Sequence, residues 1–374
     1  MNTNISRRGF AKILGAGAAY AALKPTIASA APVLRFVSHT GQNTGIVRLS
    51  SNENPYGPSP AALKAMNEAF GLSWRYPDEH ADLLSENLAK LHYVANEQVL
   101  LGNGSGEILK LAATAFTGPG KKLVIAEPTF EAIARHARVA NAEVAQISLT
   151  ADYAHDLPKM LAAAGDAGLI YICNPNNPTA SLTPKDSIRA LLRKVPEGTT
   201  VLVDEAYHHY VESNDYESLI PLVKEYPNLV VARTFSKIYG MAGLRCGYCI
   251  TRPELIQRMR PHQTWDSVNI MALAAAQASI RDAAQVEQGR RRNNEVRKYL
   301  YLQLDQSGLK YIPSHANFLM IDLRRDVKTI IAALRDRKVE VGRQFPALPN
   351  FLRVTFGTRP QMEAFVSALR EVLA

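Results

Sequence analysis

Between about residues 98 and 250, short apolar runs alternate with stretches of helical periodicity. The candidate strands are QVLLG (98–102), KLVIAE (122–127), EVAQISL (143–149), GLIYICN (168–174), TVLVDEA (200–206), LVVAR (229–233) and RCGYCI (245–250). Several are apolar at consecutive positions, as strands covered on both faces require. One intervening helix is predicted to open at TPKD (183–186). Thr183 stands in the capping position, Pro184 at the first helical position and Asp186 at the positive end of the dipole. This alternation predicts an α/β large domain over 61–265, built on a mostly parallel, doubly wound sheet.

The pattern then changes. A long helical period runs from about 270 to 306, followed by ANFLMIDL (316–323), a helix near 326–337, VEVGRQF (339–345), NFLRVTFG (350–357) and a last helix. That order predicts a smaller α+β C-terminal domain over 266–374. Residues 31–60, rich in Pro, Gly, Ser and Asn, read as an extended N-terminal arm outside either core.

Residues 1–30 follow another logic. SRRGFAK (6–12) is basic, residues 13–23 are apolar, and ASA (28–30) is a small-x-small site. An apolar run of 11 residues is too short for a bilayer, which needs about 20, so stable membrane insertion is not expected. The order basic, apolar, small predicts an export signal cleaved near Ala30. Ser-Arg-Arg-x-Phe-x-Lys resembles the twin-arginine signal, which implies the twin-arginine export machinery as a partner and a periplasmic mature protein. An unused signal would leave the protein cytoplasmic.

Composition narrows the classes. With 47% hydrophobic and 21% charged residues in 374, the chain is not disordered. Removing residues 1–30 takes away Arg7, Arg8, Lys12 and Lys24 and no acid, lowering the net charge from +9 to +5. That balance suits anionic ligands but does not indicate nucleic acid. The basic cluster GRRRNNEVRKYL (289–300) reads as the solvated face of a helix. Three cysteines do not make a disulfide scaffold. The pair in CGYC (246–249) lies on a strand pattern, where residues three apart face opposite ways. All three cysteines read as core or near-core thiols.

Candidate chemistry gathers at the carboxyl ends of the predicted strands, where open parallel sheets bind ligands. GNGSGE (102–107) follows a strand and opens a helix, so free amides there can hold a phosphate. CNPNNP (173–178) offers Asn177, VDEAY (203–207) offers Asp204 and Tyr207, and RTFSK (233–237) offers Thr234, Ser236 and Lys237. Together they match the needs of pyridoxal phosphate. Its aldehyde condenses with a lysine, for which Lys237 is the candidate. Its ring nitrogen needs a carboxylate, Asp204, and its phenolic oxygen needs donors, Tyr207 and Asn177. Its phosphate needs Ser105, Gly106, Thr234, Ser236 and a fixed cation, Arg245. No metal site is expected, because the neighbouring His208 and His209 should diverge on an extended chain and have no evident third ligand.

SSNENPYGPSP (50–60), RYPD (75–78), GNGSGE, NPNNPT, DEAY, RTFSKIYGMAGLRCGY (233–248) and FLRVTFGT (351–358) occur in the order found in class I/II pyridoxal phosphate-dependent aminotransferases. The chain most resembles the histidinol-phosphate aminotransferase branch, over essentially its whole length after residue 30. The resemblance implies a fold-type I enzyme, a homodimer with shared active sites, and ping-pong transfer between an amino donor and a 2-oxo acid acceptor. It also implies that Phe130 stacks on the cofactor ring and that Tyr76 reaches the partner subunit's cofactor phosphate. Arg353 would bind the substrate carboxylate, while Arg343 and Tyr56 would handle its distal end.

The chain departs from the branch at Ala180, where glycine is usual, at Gly106, and at the histidine pair. An exported enzyme would not meet histidinol phosphate, a cytoplasmic intermediate. The expectation is therefore a transaminase for an amine available outside the cytoplasm. The alternatives are a cytoplasmic histidinol-phosphate aminotransferase, or a decarboxylase or C–S lyase of the same fold. A non-catalytic binding protein would not need Lys237, Asp204, Tyr207 and Arg245 together.

Overall fold

The structure, a computed structural model, describes residues 45–374; the predicted export signal and residues 31–44 of the arm lie outside the described residues. Seven strands form the main sheet: β2 (Val99–Gly102), β3 (Lys122–Glu127), β4 (Val144–Ser148), β5 (Ala167–Cys173), β6 (Thr200–Asp204), β7 (Leu229–Thr234) and β8 (Gly247–Ile250). Their order is β2-β8-β7-β6-β5-β3-β4. The run from β7 through β4 is parallel, and β8 is antiparallel to both neighbours. The seven predicted strands are all present, each within a few residues of its expected bounds.

Consecutive apolar residues are needed because both faces are covered. Val201 and Val203 of β6 enter one core, and Leu202 enters the other. Cys246 and Cys249 likewise divide between the two faces, and Cys173, Cys246 and Cys249 are all buried free thiols.

A second core lies around β10 (Phe318–Asp322), flanked by β9 (Lys310–Ile312) and β12 (Phe351–Thr355), all antiparallel. The N-terminal arm enters this core, against expectation. Its strand β1 (Val47–Leu49) pairs in parallel with β11 (Val339–Val341), and Leu49 is buried with Leu319 and Ile321. Two apolar alternations in a polar arm give too short a period to read as a strand.

Two further expectations change. The long helical period breaks at Ile280–Asp282 into Ile270–Ser279 and Ala283–Gln306. The first of these is almost wholly apolar, and its Ala272, Leu273, Ala275 and Ala276 belong to the large-sheet core. That helix therefore packs with the large-sheet core. Thr183 does not cap its helix, which spans Lys185–Leu192 with Pro184 at the cap. The Thr183 hydroxyl instead accepts from the His155 amide at 3.0 Å, while the Thr183 amide donates to Asn174 Oδ1 at 2.9 Å. It fastens the loop after β5.

Among the described residues, no helix is long and apolar enough to cross a membrane, and no group of three His, Cys, Asp or Glu residues could hold a metal ion.

The backbone approach that bears on the ligand edge is at the start of β8. A Cβ on Gly247 would lie 2.4 Å from the Ser105 nitrogen and 2.9 Å from the Arg233 carbonyl oxygen. Neither can rotate aside. Gly247→Ala is expected to destabilise the protein by about 1–3 kcal/mol, the usual cost of overpacking, seen as a lower urea midpoint. Gly198→Ala, where a Cβ meets nothing within 4 Å, should leave the midpoint nearly unchanged.

Candidate active site

The carboxyl ends of β2, β3, β5, β6 and β7 open on one edge of the sheet. β7 leaves at Thr234, turns through Lys237, and β8 returns antiparallel with Gly247 opposite both Thr234 and Gly102. This hairpin brings Arg245 back to the edge that Lys237 has just left. The guanidinium lies over Gly104, where a Cβ would meet Nη2 at 2.3 Å. Gly104 has φ 71°, a left-handed conformation that favours glycine.

The helix Ser105–Phe116 begins there with no side-chain cap, so its first amides are free. The Thr234 and Ser236 hydroxyls, both buried, lie 2.9 Å apart beside it. Arg245 donates to the Ala242 carbonyl at 3.0 Å and Ser236 Oγ at 3.5 Å, and has no acidic partner among the described residues. Free amides, two hydroxyls and an uncompensated guanidinium fit a phosphate.

Lys237 is the next group inward. Its Nζ donates to the Asn52 carbonyl at 3.0 Å and lies 5.5 Å from the centre of the Tyr207 ring. Burial lowers its pKa to about 8, helped by the positive charge of Arg353. Asp204, at the end of β6, is 3% exposed. Its carboxylate accepts from the Tyr171 hydroxyl and the Ala206 amide, each at 3.1 Å. Burial pushes its pKa up to about 6 against the pull of those two bonds. No cation pairs with it among the described residues, so a buried carboxylate stands ready for a protonated ring nitrogen. Behind it, Glu205 and Arg233 form a buried ion pair at 2.8 Å that ties the ends of β6 and β7 together.

Tyr207 packs edge-on against Phe318 with ring centres 5.2 Å apart, and its hydroxyl accepts from Asn52 Nδ2 at 3.1 Å. Arg353 donates through Nη1 to Asn177 Oδ1 at 2.8 Å and through Nη2 to the Ser50 carbonyl at 2.7 Å. Its buried Nε has no partner. Burial, with the nearby Arg343, lowers its pKa. A guanidinium held only by neutral oxygens is available for a carboxylate.

The structure thus brings together Ser105, Gly106, Asn177, Asp204, Tyr207, Thr234, Ser236, Lys237, Arg245 and Arg353. Phe130 follows β3 and is 38% exposed, and its loop is fixed by Thr129 Oγ1 donating to Asn176 Oδ1 at 2.7 Å. Tyr56 is exposed under the Arg292 guanidinium, in a loop that Asn54 Nδ2 fastens to the Ile238 carbonyl at 2.8 Å. Arg343 reaches the rim through Phe345, whose ring lies 4.4 Å from its guanidinium carbon and 5.1 Å from that of Arg353. Tyr76 is 82% exposed.

The histidine pair corrects another expectation. His208 and His209 lie in a 3-10 turn with ring centres 3.7 Å apart and planes tilted by 39°, so they pack together instead of diverging. Burial lowers both pKa values, that of His209 to about 3, which keeps the rings neutral.

Two contributors escaped sequence reasoning. Asn52 contacts Lys237 and Tyr207, and its amide donates to Thr355 Oγ1 at 2.9 Å. The NEN triplet at 52–54 was its signal. Tyr171 looked like a core aromatic inside an apolar strand, and nothing in its neighbourhood marked it out.

The chain matches the family Aminotransferase class I and II over residues 44–369. It is 40% identical over 333 residues to the histidinol-phosphate aminotransferase of Moorella thermoacetica, covering 88% of this chain and 86% of that one. The corresponding enzyme of Symbiobacterium thermophilum is 42% identical over 333 residues, covering 88% and 91%. The crystal structure of histidinol-phosphate aminotransferase from Sinorhizobium meliloti with pyridoxal-5'-phosphate superposes with a TM-score of 0.81 at 26% identity, over 88% of this chain and 91% of that one. The chain therefore belongs to the class I and II aminotransferases, fold-type I enzymes that depend on pyridoxal phosphate.

Proposed function

We propose that this aminotransferase moves the amino group of an amino acid, or of an amino-acid-like amine, to a 2-oxo acid, and that it does so outside the cytoplasm. The observation that carries the chemistry is Lys237, a half-buried amine between an uncompensated carboxylate and two guanidiniums without acidic partners among the described residues. Lys237 is the residue to which the cofactor attaches. Arg245, Thr234, Ser236 and the amides of Ser105 and Gly106 hold its phosphate. Asp204 would keep a proton on its ring nitrogen, Asn177 and Tyr207 would serve its phenolic oxygen, and Phe130 would cover its ring.

When bound, the cofactor supplies an electron sink that acidifies the substrate Cα–H. The residues then divide the work. Arg353 grips the carboxylate and fixes which substituent faces Lys237. The depressed pKa of Lys237 leaves a large share of the amine neutral near pH 8, as a base requires. Asn52 and Tyr207 shield one side of the half-buried amine. A homodimer gives the exposed Tyr76 a role at the partner's phosphate. Tyr56 and Arg343 serve the distal end of the substrate.

Export rests on the sequence of residues 6–30 and on no structural observation. A second reading, cytoplasmic transamination of histidinol phosphate, is supported by the histidinol-phosphate aminotransferases to which the chain is 40% and 42% identical. Fractionating cells that make the full chain separates the two. A shortened form beginning near residue 31 in the periplasm is expected, and an uncut chain confined to the cytoplasm would favour the second reading.

The reaction is tested by titrating the purified holoenzyme with glutamate, aromatic amino acids and histidinol phosphate. At least one donor should convert the absorbance of the bound cofactor, with recovery on adding a 2-oxo acid. Carbon dioxide release without that recovery would mark a decarboxylase instead.

A further inference from the structure

Two guanidiniums flank the Phe345 ring, and they are held differently. Arg353 contacts only neutral oxygens. Arg343 forms an ion pair with Glu131, Nη2 to Oε1 at 2.8 Å, with the two side chains 53% and 55% exposed. Glu131 directly follows Phe130 and occupies the cap position of the helix Ala132–Val139, yet its side chain makes no capping bond. A carboxylate near a helix N-terminus is favoured by the dipole and the free amides there. Here it turns to Arg343.

We propose that Glu131 is a specificity-determining residue, a built-in stand-in for a second anionic group on the substrate. With an uncharged substrate tail, it neutralises Arg343. With a tail bearing a carboxylate or phosphate, it swings out and yields Arg343 to the ligand.

Ping-pong transfer makes such a device useful, because donor and acceptor occupy one site in turn. A lone cation at the rim would disfavour an apolar tail that desolvates it, and a buried pair would resist any anionic tail. A half-exposed pair is cheap to open, worth about two- to fivefold in affinity. The site would then serve both a dicarboxylate 2-oxo acid and a donor with an apolar or aromatic tail.

This inference rests on the proposed role of Arg353 as carboxylate anchor, and its test separates the two. Glutarate and 3-phenylpropanoate carry no amino group, so each binds without turnover and is read from the absorbance of the bound cofactor. In Glu131→Gln holoenzyme, the Kd of glutarate should fall about two- to fivefold relative to that of 3-phenylpropanoate, with the difference shrinking as salt is added. An unchanged ratio, with both ligands still binding, would overturn the role of Glu131 alone. Failure of both ligands to bind the unaltered holoenzyme would overturn the Arg353 anchor and this inference with it.

Discussion

The close return of β8 between β2 and β7 is the constraint on which the site depends. Gly247 stands opposite Gly102 and Thr234, with no room for a side chain between the Ser105 nitrogen and the Arg233 carbonyl. That approach sets Arg245 over Gly104, beside the uncapped start of the Ser105–Phe116 helix. It also makes the segment between Thr234 and Gly247 a loop with both ends pinned, and Lys237 is carried on it. The proposed phosphate cradle and the candidate amine, a few residues apart, are thus products of one strand register.

The second feature is a set of charges left without partners. Asp204, Lys237, Arg245 and Arg353 form no ion pair with one another or with any other described residue. The nearby Glu205–Arg233 pair shows that this part of the chain does pair charges where they serve only the frame. Burial moves Asp204 toward protonation and Lys237 toward neutrality, and both shifts fit a ligand that brings a ring cation and consumes an amine.

Much of this was legible in the sequence for a physical reason. A strand covered on both faces is apolar at most positions, so β5, β6 and β7 announce themselves, and the polar residues at or a few positions beyond their carboxyl ends lie at the ligand edge. Asp204, Asn177 and Lys237 are candidates for that reason. Asn52 was not, because it reaches the site from the arm and meets Thr355 across 303 positions of sequence. Tyr171 hid as one more aromatic in a core strand. The arm strand, the packed histidine pair and the Thr183 anchor depend on long-range pairing or on local turns that periodicity does not encode.

The central claim is that the β7–β8 hairpin presents Lys237 as the residue to which pyridoxal phosphate attaches. Reducing the holoenzyme with borohydride fixes the cofactor wherever it is joined, and peptide mapping by mass then locates it. The account predicts a single modified peptide carrying the added mass on Lys237, and its loss in Lys237→Ala. Modification of a different lysine, or none at all, would contradict it.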